Sequence, residues 1–140
     1  MKDIEQAKEI LNAGNYTCVL CKKGDIHTSR ARGVKPIVQW YESEQDYHGY
    51  SAADKVVGKA TAFLYALLGV KAIYAHVISK SALDVLKKHN IHIEYGSLVE
   101  HIMNRKGDGI CPFESTVLTV DTPDEAYRAI HNKMKEMNII

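Results

Sequence analysis

The chain has 140 residues, 46% hydrophobic and 25% charged, with a formal net charge of +1. That is the composition of one globular domain, residues 1–140, with a core of its own. Near-neutral charge with scattered Lys and Arg argues against a nucleic-acid partner. No apolar run approaches a membrane span, and Met1-Lys2-Asp3-Ile4-Glu5 carries no signal-peptide pattern, so no membrane partner and a cytoplasmic location are expected.

Asp3 to Ala13 has Ile4, Ala7, Ile10 and Leu11 on one face and is stopped by Gly14-Asn15, which predicts an amphipathic helix. Tyr16 to Lys22 and Ile26 to Ala31, joined by Lys23-Gly24-Asp25, read as a hairpin. Arg32-Gly33-Val34-Lys35-Pro36 then interrupts, and Ile37 to Tyr41 reads as a continuation of that strand or a short segment of its own. Glu42 to Tyr50 is polar and aromatic and reads as a loop.

Ser51 to Gly69 reads as a central helix, apolar on most sides, with Ser51 as N-cap and Asp54 closing a capping box. Val70 to Ile78 has the character of a buried strand. Ser81 to His89 follows as a short helix capped by Ser81 with Asp84, and Ile91 to Tyr95 as a strand. Ser97 with Glu100 caps another short helix, through about Asn104. Thr116 to Val120 reads as the last strand. Thr122-Pro123-Asp124-Glu125 opens a final helix that runs to about Met137. The order, a hairpin followed by strand–helix alternation, predicts an α/β fold with a mixed sheet of about five strands and helices on both faces. Ligands in such sheets sit beyond the carboxyl ends of parallel strands.

Charge inside the central helix marks the candidate site. Asp54 serves either as the capping partner of Ser51 or as a ligand-facing carboxylate. Lys55 and Lys59, one turn apart, repel unless an anion lies between them or both reach solvent. Gly58 weakens a helix interior and would let a ligand or another backbone approach closely. Gly58-Lys59-Ala60-Thr61 is no phosphate loop, because Ala53 and Ala60 stand where that pattern needs Gly and Ser or Thr. Cys111, after a Gly-Asp-Gly loop, is a candidate nucleophile with Glu114 as a partner, or else a small buried apolar side chain. Arg32 lies in a basic turn that reaches a phosphate or stays solvated.

Metal signatures fail. Three cysteines are an odd number for a disulfide framework. Cys18-Val-Leu-Cys21 lacks a second pair for zinc, and His92-Ile-Glu94 lacks the paired cysteines of a zinc deaminase.

The run Ser51-Ala-Ala-Asp-Lys-Val-Val-Gly-Lys-Ala60, with Arg32-Gly33-Val34 upstream and Cys111-Pro-Phe-Glu114 downstream, resembles a prokaryotic domain-of-unknown-function family, numbered eighteen ninety-three. The resemblance covers nearly the whole chain. It implies a cytidine-deaminase-like three-layer α/β/α sandwich. In true deaminases the second and third helices open with zinc ligands. Here those places read Ala53-Asp54-Lys55 and Ile78-Ser79-Lys80-Ser81-Ala82, so no metal or other cofactor is expected. The pocket so implied is lined by Asp54, Lys55 and Lys59, with Ser79, Lys80 and Cys111. It suits a nucleotide or another phosphorylated metabolite, with Asp54 as general base and Cys111 as nucleophile if there is turnover. A non-catalytic sensor or interaction module is the first alternative. A hydrolase using Asp54, Cys111 and Glu114 as metal ligands is the second. Related folds often self-associate, so a homo-oligomer is a further expectation.

Overall fold

The computed structural model describes residues 1–140. After helix α1 (Asp3–Ala13), strands β1 (Cys18–Lys22) and β2 (Asp25–Ser29) form the expected hairpin. Its two-residue loop is Lys23-Gly24, with φ of 49° and 84°. Left-handed backbone at both positions is the turn that matches the twist of paired strands. The remaining elements are α2 (Lys35–Glu42), β3 (Ser51–Val57), α3 (Lys59–Leu68), β4 (Ala72–Ser79), α4 (Lys80–Lys88), β5 (His92–Val99), α5 (Pro112–Thr116) and α6 (Pro123–Glu136).

The five strands form one mixed sheet in the order β2-β1-β3-β4-β5. β1 is antiparallel to both its neighbours, while β3, β4 and β5 are parallel. One face is covered by α1, whose Ile4, Ala7 and Leu11 pack on Val19, Ala53 and Tyr74. The other face carries α3 and α4, with α2 and α6 against α3. The result is the three-layer α/β/α sandwich around a five-strand mixed sheet that the sequence predicts.

Four elements differ from expectation. The central helix does not begin at Ser51: residues 51–57 are β3, and the helix is confined to Lys59–Leu68. Ala52 and Ala53 are both fully buried, one beneath each helical layer. A strand covered on both faces has no polar alternation, so its pattern cannot be told from a buried helix. Ladders to β1 and β4 outweigh the helix preference of alanine. No capping box exists, because Ser51 and Asp54 lie in a strand.

Ile37 to Tyr41 is part of helix α2, with Pro36 in its first turn. Val34, Ile37 and Val38 are buried at helical spacing. β5 continues through Val99 where a helix cap at Ser97 was expected. Thr116 to Val120 is the end of α5 and the turn after it. Ser79, not Ser81, caps α4, its hydroxyl accepting from the Ala82 N–H at 3.2 Å. Thr122 caps α6 as expected.

The α2 reading has a direct check. Ile37→Ala should cost about 2–5 kcal/mol in denaturant melts, while exposed Gln39→Ala, two residues on, should change stability by less than about 0.5 kcal/mol. Equal effects would place both side chains in one environment and contradict the helix.

Candidate functional site

β3, β4 and β5 point their carboxyl ends the same way, and α3 and α4 begin at those ends. Gly58 is the N-cap of α3 and Ser79 that of α4. Between the two helix heads stands Glu114, delivered by α5 and only 6% exposed. The Ala60 N–H donates to its Oε2 at 3.2 Å, and the Lys59 N–H faces the same group. The Ser79 hydroxyl reaches its Oε1 at 3.5 Å. The carboxylate thus occupies the place of a side-chain cap at the positive end of α3, a cap that Gly58 cannot supply.

Gly58 is extended (φ −97°, ψ −179°), so its backbone asks nothing special of glycine. Space does: a Cβ there would lie 2.6 Å from the Glu114 carboxyl carbon. The glycine read as admitting a close approach admits this side chain. Burial raises the Glu114 carboxyl above its ordinary range, against the lowering pull of the helix N–H groups, the Ser79 hydroxyl and His101.

Glu114 forms one wall of a cleft of about 220 Å³. Lys59 and Lys80, the first residues of α3 and α4, lie on its rim with Ser81 and Asp84. Glu100, His101 and Leu118 close the other side. Lys59 Nζ donates to the Leu118 carbonyl at 3.0 Å, and Lys80 Nζ to Glu100 at 2.5 Å.

Of the residues singled out in the sequence, Lys59, Lys80 and Glu114 line this cleft, with Gly58 and Ser79 directly behind them. Asp54 and Lys55 do not join them. Asp54 is buried within β3, where Tyr65 Oη of α3 donates to its Oδ2 at 2.7 Å and the Val56 N–H to its Oδ1 at 3.2 Å. With no cation beside it, burial pushes its pKa up to about 7. The neighbouring Cys18 thiol is pushed well up by the same burial and by Asp54.

Lys55 is exposed, and its N–H donates to Thr17. Ser51 is buried at the start of β3, opposite Cys21, with no hydrogen-bond partner for its hydroxyl. Cys111, half-buried just before α5, and exposed Arg32 lie outside the cleft lining. No three His, Cys, Asp or Glu side chains are grouped to hold a metal ion, so Asp54, Cys111 and Glu114 do not form the ligand set of the second alternative.

Sequence reasoning missed Tyr65 as the partner of Asp54 and His101 as a cleft residue. Had β5 been read through Val99, Glu100 and His101 would have stood at the carboxyl end of a parallel strand, where ligand-binding residues are expected.

The sequence profile of a domain of unknown function, DUF1893, matches residues 6–134. The chain belongs to the DUF1893 family. A crystal structure of a DUF1893 family protein from Thermotoga maritima superposes with a TM-score of 0.87 at 28% identity, over 95% of this chain and 91% of that one. A dCMP deaminase from the cyanophage S-TIM5 in apo form matches with a TM-score of 0.44 at 16% identity, over 66% of this chain and 93% of that one. Among curated proteins none matches.

Whether zinc would fit at the helix heads is decided by the side chains that stand there. Around those heads stand the ammonium groups of Lys59 and Lys80, the hydroxyls of Ser79 and Ser81, the Glu114 carboxylate already bound by a helix N–H, and His101, Glu100 and Asp84 on the cleft wall, with no three of the His, Asp and Glu side chains grouped to hold one ion. Zinc takes thiolates, imidazoles and free carboxylates, and this donor set does not fit it.

Two outcomes follow from the buried carboxylates. Gly58→Ala should destabilise by about 1–3 kcal/mol through overlap with Glu114, and Gly58→Ala/Glu114→Ala should cost less than the sum of the single changes by about 0.5–3 kcal/mol. Strict additivity in urea melts would mean the carboxylate is not lodged there. Asp54 has its folded pKa raised from the ordinary 3.8 to about 7. Its contribution is therefore intact below pH 3.8 and is lost as pH rises towards 7. Asp54→Asn should gain on wild type across that window, by on the order of 4 kcal/mol at neutral pH. A constant difference between the two proteins from pH 4 to 7 would contradict the burial of an ionisable Asp54.

Proposed function

We propose that this protein binds a small phosphorylated metabolite, a nucleotide or a compound of that kind, in the cleft at the heads of α3 and α4. The observation that carries the reading is the meeting of Lys59, Lys80 and the buried Glu114 at the ends of three parallel strands. Both lysines stand in the first turn of a helix, where the backbone adds positive potential. Neither is committed to a strong partner. Lys59 holds one backbone carbonyl, and the Lys80–Glu100 pair is exposed, with 59% and 71% of the two side-chain surfaces open to solvent. Such a pair contributes about 0–1 kcal/mol, so a phosphate can take over both ammonium groups at small cost.

Glu114 supplies the second half of the chemistry. Its raised pKa leaves it able to hold a proton closer to neutrality than an ordinary glutamate, and it faces the space a ligand would fill. It would donate that proton to a ligand oxygen or take one from a bound water, the role of a general acid or base. In this reading Glu114 has the place that the sequence assigned to Asp54, which lies under α3 and away from the cleft.

Calorimetric titration with nucleoside monophosphates and sugar phosphates provides the test. Wild type should bind at least one of them, and Lys59→Met should weaken that binding at least tenfold, about 1.4 kcal/mol, with the melting temperature of the unliganded protein little changed. Equal affinity in the two proteins, or no binding by wild type, would contradict the proposal.

A further inference from the structure

Ser81, in the first turn of α4, is half-buried and lines the cleft with Lys59, Lys80 and Glu114. It is not the cap of α4, because the Ala82 N–H is taken by Ser79. The one hydrogen bond of its hydroxyl is to Ser79 Oγ, at 3.3 Å. The direction of that bond follows from the hydrogens available. A hydroxyl has one to give, and a carboxylate accepts only. Ser79 accepts from the Ala82 N–H at 3.2 Å and donates to Glu114 Oε1 at 3.5 Å, so the hydrogen between the two serines comes from Ser81. The chain Ser81–Ser79–Glu114 thus leads from a hydroxyl on the cleft, through a fully enclosed serine, to a buried base. A weak hydroxyl nucleophile is activated by a base within such reach, and the contacts involved run long until a substrate is bound. Cys111, the nucleophile suggested by the sequence, lies outside the cleft.

We propose that, granted the anion site described above, Ser81 is a nucleophile that takes the phosphoryl group of a phosphomonoester held by Lys59 and Lys80. Its Oγ bonds to phosphorus while the bond from phosphorus to the ester oxygen breaks. The Ser81 proton passes to Ser79 as the Ser79 proton passes to Glu114, and the leaving oxygen takes a proton from water. The two ammonium groups offset the charge on the remaining phosphoryl oxygens, the main task in phosphoryl transfer. Water then attacks phosphorus and the bond to Ser81 breaks. Glu114 returns its proton to Ser81 through Ser79, and inorganic phosphate leaves. The activity is that of a phosphatase working through a phosphoserine.

The probe is p-nitrophenyl phosphate, with inorganic phosphate as the binding control. Wild type should release p-nitrophenolate and, when quenched during turnover, carry a phosphoryl group on the peptide containing Ser81 by mass spectrometry. Ser81→Ala should lose both while binding inorganic phosphate as tightly as wild type. Glu114→Gln keeps an oxygen for the head of α3 but no base, and should lower kcat about a hundredfold or more with KM little changed. A wild type that binds phosphate but shows neither turnover nor label would overturn the nucleophile and leave the anion site standing. So would turnover that survives in Ser81→Ala. A wild type that binds no phosphate and releases no p-nitrophenolate would overturn both.

Discussion

Glu114 reaches from α5 across the top of the sheet and places its carboxylate where α3 begins, in the gap left by the missing side chain of Gly58. Three constraints meet in that contact. The helix head needs an acceptor for its first N–H groups, since no preceding turn supplies one. The close approach needs glycine at the cap. The segment from Cys111 to Val117 must then stay packed against the heads of α3 and α4, which makes one wall of the cleft. A helix cap, a steric requirement and the shape of the candidate site thus follow from one side chain.

The structure buries two carboxylates and treats them differently. Asp54 is enclosed between β3 and α3, with a tyrosine hydroxyl and backbone N–H groups for partners and no route to a ligand. Its raised pKa is a matter of stability, because an ionised carboxylate there lacks a compensating charge. Glu114 is as little exposed but has one side on the cleft, beside two lysines. The same desolvation that burdens Asp54 acts, in Glu114, on a group that faces the cleft. Perturbed groups that border a cavity are candidates for function; Glu114 borders the cleft and Asp54 does not.

Much of the fold was legible in the sequence, and the error that bears most on the site has a physical cause. α1, the hairpin and α6 carry local signals, an apolar stripe, a Lys-Gly turn and a Thr-Pro-Asp-Glu start, and α4 was read as a helix although its cap is Ser79 and not Ser81. Residues 51–57 carry none, because a strand covered on both faces shows unbroken apolar character, and the alanines that let two helices approach also favour helix. Reading them as helix put Asp54, Lys55 and Lys59 in its first two turns with the two lysines on one face, although Asp54 and Lys55 are successive strand residues and only Lys59 belongs to α3. Lys59, Lys80 and Glu114, residues at element boundaries, do come together in one cleft, with Gly58 and Ser79 behind them. The link from Glu114 to Gly58 spans more than fifty positions and has no local signature. Tyr65 was missed because residues 51–57 read as helix, and His101 because β5 read as ending at Tyr95.

The account stands on Glu114 being a buried carboxyl group of raised pKa with one side on the cleft. The direct measurement is a carbon-13 NMR titration of the glutamate side-chain carboxyls, with and without a bound nucleotide. The account predicts that Glu114 titrates above the ordinary glutamate range in the free protein and moves higher when a phosphate binds beside it, while exposed Glu5 stays in place. A Glu114 that titrates like Glu5 and ignores the ligand would contradict it.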